Sequence, residues 1–175
     1  AKEPVAIAGI MGGDETEVKR GTKNILIEVA NFDAKNIRES SKALGLRSEA
    51  SSRYEKGISP SIVKDTAQRV CHLIEKLGAG TVVEGIIDEY PRKVEEQSIN
   101  IRVNRVNELL GTKISGEEMK AILEKLSIKA KLKEDVIVAN PPLFRLDLNK
   151  EIDFVEEIAR IFGYENIEKT LPAGN

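Results

Sequence analysis

The sequence predicts an α+β chain in two parts, an α/β unit followed by a small three-helix, winged-helix-like unit with a β-hairpin. Three observations carry this. Apolar residues alternate with period two in short runs at 25–29, 99–103 and 128–132, and segments between such runs repeat at helical spacing. Residues 88 to 97, Asp-Glu-Tyr-Pro-Arg-Lys-Val-Glu-Glu-Gln, lose all periodicity, cluster charge and carry Pro91, as a linker does. Beyond them, Ser115-Gly-Glu-Glu118 has the pattern of a helix capping box, and Glu134-Asp135 separates two apolar runs that can pair as a hairpin.

In the first part, Pro4 to Ala8 is expected to form a strand. Gly9-Ile-Met-Gly-Gly13 follows, where glycine permits a sharp turn or the close approach of a ligand. Its spacing is neither a dinucleotide fingerprint nor a P-loop. A polar loop from Asp14 to Lys23 leads into Asn24-Ile-Leu-Ile-Glu-Val-Ala30. There Ile25, Ile27 and Val29 make one apolar strand face, while Glu28 stands between Leu26 and Ala30 on the other. Asp33 as N-cap and Gly45 at the C′ position bracket a helix with Ala34, Ile37, Ser41 and Leu44 inward. Arg47 to Gly57 is expected to be a loop dense in charges and small residues. Ser59-Pro60 then opens a long helix whose stripe is Ile62, Val63, Thr66, Val70, Leu73, Ile74 and Leu77, ending at Gly78. Thr81 to Ile87 completes this part as a strand. The order strand, strand, helix, helix, strand is that of an α/β unit without its beginning. The domain boundary is placed near residue 93, giving parts 1–92 and 93–172.

In the second part, Ile99, Ile101 and Val103 alternate, and Val106, Leu109 and Leu110 precede Gly111. Met119, Ile122, Leu123 and Leu126 face inward after the capping box. Ile128, Ala130 and Leu132 alternate with lysines and pair with Val136 to Ala139, until Asn140-Pro-Pro142 stops the hairpin. A final helix beginning near Asn149 is expected to bury Ile152, Val155, Ile158, Ala159 and Phe162.

Composition narrows the function classes. The 175 residues are 41% hydrophobic and 32% charged, an ordinary globular balance. A net charge of −2 makes no electrostatic case for strong nucleic-acid binding by the whole chain. No apolar run approaches a membrane span, and no signal-peptide pattern is present. Cys71 is the single cysteine, which excludes an intrachain disulfide or a cysteine metal site and makes a cytosolic setting the default. Starting at Ala1 without methionine, close to an expected strand, the chain has the look of a piece of something longer.

Two clusters could carry chemistry. Glu28 could accept a hydrogen bond at the base of a pocket lined by Gly12, Gly13 and the small residue Ala50. Most glutamates are exposed, however, and glycines after strands are usually turn chemistry, so the pattern alone favours the plainer reading. Arg47, Arg53 and Lys56 could reach phosphates, but they alternate with Glu49 and Glu55 and could equally form surface pairs. In the last helix Asp153, Glu156 and Glu157 share one face at i, i+3 and i+4, with Asp147 just before it. Such oxygen donors suit Mg²⁺. Ordinary helix pairs with Arg160 explain the glutamates at least as well. His72, the only histidine, lies opposite the apolar stripe of its helix and is expected to be exposed. No second histidine or free nucleophile accompanies it, so no catalytic triad is supported.

Four stretches together carry a likeness: Gly9-Ile-Met-Gly-Gly13, Ile25-Leu-Ile-Glu-Val-Ala30, Leu46-Arg-Ser-Glu-Ala-Ser-Ser-Arg-Tyr-Glu-Lys-Gly57 and Phe154-Val-Glu-Glu-Ile-Ala-Arg-Ile-Phe-Gly-Tyr164. In order and spacing they resemble the β subunit of bacterial phenylalanyl-tRNA synthetase. The resemblance implies part of an α/β B3/B4 editing domain over residues 1–92, then the winged-helix-like B5 domain over 93–172. It implies that Glu28 recognises the hydroxyl of tyrosine wrongly attached to tRNA(Phe), with Gly12 and Ala50 as small residues lining that editing pocket. A second site is needed because an apolar synthetic pocket rejects an added hydroxyl poorly. The family's editing histidine belongs to an earlier part of the domain, so His72 is not its counterpart. Asp147, Asp153, Glu156 and Glu157 match the acidic positions for Mg²⁺, a site shared with the α subunit. This raises the metal reading above the plainer one.

The implied whole is a cytoplasmic, ATP-dependent ligase, an (αβ)₂ assembly acting on tRNA(Phe), with no membrane role. No aminoacylation is expected of this chain alone, since the class II motifs and ATP site of the α subunit are not found in it. The rival expectations are a noncatalytic tRNA- or protein-binding scaffold, or a freestanding hydrolase of misacylated tRNA. The missing half of the pocket counts against the hydrolase.

Overall fold

A computed structural model describes residues 3–169, so the end of the second expected part lies outside the described residues. The chain is α+β. It divides into two compact units between Val94 and Glu95.

The first unit begins with a short hairpin. Strands β1 (Ala6–Ile7) and β2 (Met11–Gly12) pair antiparallel, Ala6 opposite Gly12 and Ile7 opposite Met11. Gly9 turns the chain at φ +69°, the left-handed region that favours glycine. A Cβ there would lie 2.7 Å from Ile37 Cδ1 and 2.8 Å from Phe32 Cδ2, so close packing requires glycine as much as the turn does.

Helix α1 (Ala34–Leu44) has the expected ends: Asp33 accepts from Asn36 N, and Gly45 closes the helix at φ +64°. Ile37 and Ser41 are buried, while Leu44 is exposed. The expected loop at 47–57 is a helix instead, α2 (Glu49–Tyr54). Ser48 and Ser51 cap it reciprocally: Ser48 Oγ accepts from Ser51 N at 3.1 Å, and Ser51 Oγ accepts from Ser48 N at 2.9 Å. Ser59 and Pro60 open a turn of 3-10 helix that runs into α3 (Val63–Lys76).

The two longer strands expected in this unit are absent. Residues 24–30 and 81–87 have no regular structure, and Leu26 is 96% exposed and Ile87 91%. Alternation specifies a strand's faces but not its neighbour, and neither segment has a ladder partner among the described residues. The α3 stripe likewise has no fully buried residue. Among the described residues of this unit, the buried apolar side chains are Ile10 and Ile37.

The second unit is better filled. Strand β3 (Ile99–Arg102) leads into α4 (Val103–Leu110), which ends at Gly111 with φ +66°. Helix α5 (Gly116–Lys125) starts at Ser115, whose hydroxyl accepts from Glu118 N at 3.2 Å. The returning half of the expected capping box is not made. Strands β4 (Lys129–Lys133) and β5 (Val136–Asn140) form the hairpin, turned by Glu134 at φ +52°. The sheet order is β3-β5-β4, all antiparallel, with Ile101 opposite Ile137 and Leu132 opposite Ile137.

Period-two alternation sets the faces of this sheet. Ile101, Ile137, Ala139 and Ala130 are buried on one side; Lys129, Lys131 and Lys133 are exposed on the other. Helix α6 (Glu151–Phe162) packs against β3, α4 and α5. It buries Phe154, Val155, Ile158 and Ala159. Ile152, expected inside, is 54% exposed: Phe154, two positions on, takes the inward place in the first turn.

Candidate functional site

The residues around the first candidate site are organised by α2. Ser48 Oγ donates to Ile10 O at 2.6 Å, tying the start of this helix to the β1–β2 turn. Its far end is held by Tyr54, which donates to Ala30 O at 3.2 Å and meets the Phe32 ring edge-on at 4.9 Å between centroids. Arg38 Nη2 donates to Glu55 O at 3.0 Å, and Arg47 reaches Ser52 and Glu55. Asn31 Nδ2 donates to Ile58 O. Arg47 and Arg53 are therefore engaged within this unit, Arg53 with Glu49 at 3.5 Å.

On this frame Gly12 and Ala50 stand on two elements joined by the Ser48–Ile10 hydrogen bond, and both are exposed. A Cβ on Gly12 would meet nothing within 4 Å. Glu28 lies two residues before the carbonyl that Tyr54 holds; it is exposed and makes no hydrogen bond or ion pair among the described residues. A shallow concavity in this unit is lined by Pro4, Val5, Gly13 and Asp14, and includes none of the three. Thus α2 brings the Gly12 and Ala50 elements together, while Glu28 stands exposed outside that hydrogen bond. Helix α2 has no apolar period to mark it: serine hydroxyls cap its start, and its aromatic contact is Tyr54 against Phe32 at its end. The Ser48-x-x-Ser51 spacing was its one visible sign.

The second candidate site is the acidic end of α6. Arg145, in the loop before that helix, forks onto Asp147: Nε donates to Oδ1 at 2.9 Å and Nη2 to Oδ2 at 2.6 Å. The same Nη2 reaches Glu157 Oε1 at 2.7 Å, and Arg160 donates to Glu157 Oε2. The hydrogen bond from Arg145 holds the Asp147 carboxyl below its ordinary value. Burial pushes Glu157 up, but hydrogen bonds from Arg160 and Arg145 outweigh it and leave that carboxyl low as well. Both Asp147 and Glu157 hold Arg145 more firmly protonated, although burial opposes this.

Asp153 has separate work. Its Oδ2 accepts from Asn149 N at 2.8 Å and Lys150 N at 2.7 Å, covering free amides at the start of α6. Glu156 is exposed, with no ion pair among the described residues. Among those residues, no group of three or more carboxylate, histidine or cysteine side chains converges as metal ligands would. As arranged, the four acids do not fit a magnesium coordination sphere.

Two domain families match the chain in succession. Residues 1–79 match the B3/4 domain family, and residues 99–164 match the tRNA synthetase B5 domain family. These two domains place the chain among tRNA-synthetase proteins. The phenylalanine–tRNA ligase β subunit of Clostridium tetani is 50% identical over 167 residues, covering 95% of this chain and 21% of the relative. That of Clostridium acetobutylicum is 47% identical over 165 residues, covering 94% of this chain and 21% of the relative. The Geobacter sulfurreducens β subunit is 46% identical over 169 residues, covering 96% and 21%. The chain is similar along nearly its whole length to phenylalanine–tRNA ligase β subunits. It spans about a fifth of the length of these relatives, 21% of each.

Proposed function

We propose that this chain serves, within a phenylalanine–tRNA ligase β subunit, the ATP-dependent charging of tRNA(Phe) by the whole enzyme and the hydrolytic editing of Tyr-tRNA(Phe). The observation that carries this reading is the match of both units, in order, to β-subunit domains along nearly the whole chain. The whole enzyme pairs β with α in an (αβ)₂ assembly, binds tRNA(Phe), and works in the cytoplasm. No described helix is long and apolar enough to cross a membrane. In the editing role, Glu28 is the acceptor for the tyrosine hydroxyl, and Gly12 and Ala50 leave room for the ligand. Discrimination by a hydroxyl acceptor is strong because an unsatisfied polar group in a closed site is costly.

A second reading is favoured by one observation: Glu28 is exposed and makes no hydrogen bond or ion pair among the described residues. On that reading the chain is a noncatalytic scaffold that binds tRNA or protein. One experiment separates the two. Full-length β subunit carrying Glu28→Ala is assembled with α, and hydrolysis of Tyr-tRNA(Phe) is followed beside charging with phenylalanine. Editing predicts that hydrolysis of the tyrosyl ester falls sharply while phenylalanine charging persists. Unchanged discrimination between the two amino acids favours the scaffold.

A further inference from the structure

We propose that Tyr54 is a positioning residue for Glu28, holding the segment that carries this hydroxyl acceptor against α2; the assignment rests on the editing role given to Glu28 above. Residues 24–32 lie in no helix or strand, and among the described residues they make no backbone–backbone hydrogen bond. Without a ladder, the placement of the segment falls to side chains. Two hydrogen bonds supply it among the described residues, and both run to the end of α2 or the turn beyond. Tyr54 Oη donates to Ala30 O at 3.2 Å, and Asn31 Nδ2 donates to Ile58 O. Phe32 completes the fastening. Its ring meets that of Tyr54 edge-on, 4.9 Å between centroids at an interplanar angle of 83°, a geometry in which aromatic pairs attract. Both residues are half-buried.

Ala50 and Tyr54 stand four residues apart on α2 and therefore share one face of it. The start of the same helix is tied by Ser48 to Ile10, the residue before the strand that carries Gly12. One short helix thus joins the segments of all three residues given an editing role, and the Glu28 segment depends on Tyr54 for its share. From Ala30 back to Glu28 is two residues, about 7 Å at full extension, so a shift at the Ala30 carbonyl passes to the carboxylate. Recognition of a single hydroxyl tolerates little misplacement, because a hydrogen bond weakens steeply as its angle and distance depart from the optimum. A phenylalanyl ester has no such hydroxyl, and its hydrolysis does not depend on where Glu28 stands. Tyr54 therefore sets the preference for tyrosine over phenylalanine without touching the substrate.

The test uses full-length β subunit assembled with α, and reads the ratio of hydrolysis rates of Tyr-tRNA(Phe) and Phe-tRNA(Phe). Tyr54→Leu loses ring and hydroxyl together and is expected to lower that ratio by about tenfold or more. Tyr54→Phe keeps the ring against Phe32 and should recover part of the loss. On top of Glu28→Ala, Tyr54→Leu should change the ratio no further, since a residue that acts through another is not additive with it. Equal loss of both hydrolyses overturns the proposal, because Tyr54 would then be merely structural. So does a Tyr54→Phe ratio no better than that of Tyr54→Leu, or a further fall on top of Glu28→Ala. A ratio that falls with Glu28→Ala but not with Tyr54→Leu overturns the proposal alone; a ratio indifferent to Glu28→Ala overturns the editing role and the proposal together. Should Tyr54→Leu fail to assemble with α, Asn31→Ala, which frees the other fastening, is read on the same ratio: a fall supports the proposal and no change overturns it.

Discussion

The Asn107 side chain holds Ile114 at both of its backbone groups. Asn107 Oδ1 accepts from Ile114 N at 2.8 Å, and Asn107 Nδ2 donates to Ile114 O at 2.9 Å. Thr112 Oγ1 donates to the same Oδ1 at 2.9 Å. An amide side chain thus stands in for a neighbouring strand across the turn from α4 to α5, and Ile114 is pressed into the core at 4% exposure.

Asn107→Ala removes all three bonds and leaves part-buried backbone groups without partners. The expected cost is about 1–3 kcal/mol. Asn107→Asp keeps the acceptor but loses the donor, so a smaller loss is expected. Urea unfolding followed by NMR signals of residues 95–164 measures both. Equal stability of Asn107→Ala and the parent would contradict the clasp.

Glu151 and Arg102 supply a pH signature. Glu151 Oε1 accepts from Arg102 N at 2.8 Å and Nε at 3.1 Å, and Oε2 from Nη2 at 2.6 Å. The side-chain hydrogen bond from Arg102 is the main cause of a Glu151 carboxyl held below its ordinary value of 4.5. A depressed folded-state pKa contributes stability that is present above the unfolded value and lost as pH falls through the folded one. Glu151→Gln should therefore lower stability near neutrality and flatten the decline below pH 4.5. Denaturant midpoints measured down that acid range test it; an unchanged slope counts against the pair.

The core of the second unit should be steeply position-dependent. Ile137, on the central strand, is fully buried, and Ile137→Ala is expected to cost about 2–5 kcal/mol. Ile152 on α6 is 54% exposed, and Ile152→Ala should change stability by no more than about 0.5 kcal/mol. Comparable losses from both would place the first turn of α6 differently from the structure. Thermal unfolding of the two variants decides.

Gly9 and Gly12 should also part company. Gly9→Ala forces a left-handed residue and a Cβ 2.7 Å from Ile37 Cδ1, so a loss of about 1–2 kcal/mol or more is expected from the backbone alone. Gly12→Ala meets open space and should be nearly neutral. Hydrogen exchange at the Ile37 amide, which bonds to Asp33 O, reports the difference.

Much of this fold was legible because its signals are local. Asp33 and Gly45 frame α1, and Gly111 ends α4. The lysine alternation of β4 marks its exposed face. What escaped is non-local or polar. Residues 24–30 alternate like a strand, but nothing within them names a partner. Helix α2 rests on serine hydroxyls and shows no apolar period. At the candidate sites, helical spacing placed Asp153, Glu156 and Glu157 on one face, yet gave no sign of Arg145, twelve positions from Glu157 and in a loop. Glu28 stands out as an acid in an apolar run, a feature that describes its neighbours and not its own surroundings.

The strand order β3-β5-β4 has a consequence for timing. Strand β3 leaves the ribosome first, yet its partner is the last strand made, with Ile99 waiting for Ala139. At ordinary translation speeds of about 5–20 residues per second, that wait lasts roughly 2–8 seconds. The β4–β5 hairpin, closed by a short turn, can form as soon as it emerges, in microseconds. The younger hairpin is thus the template, and the older strand is recruited to it. Until then β3 travels as an unsatisfied edge, and the unit gains its core only when synthesis has nearly passed it by.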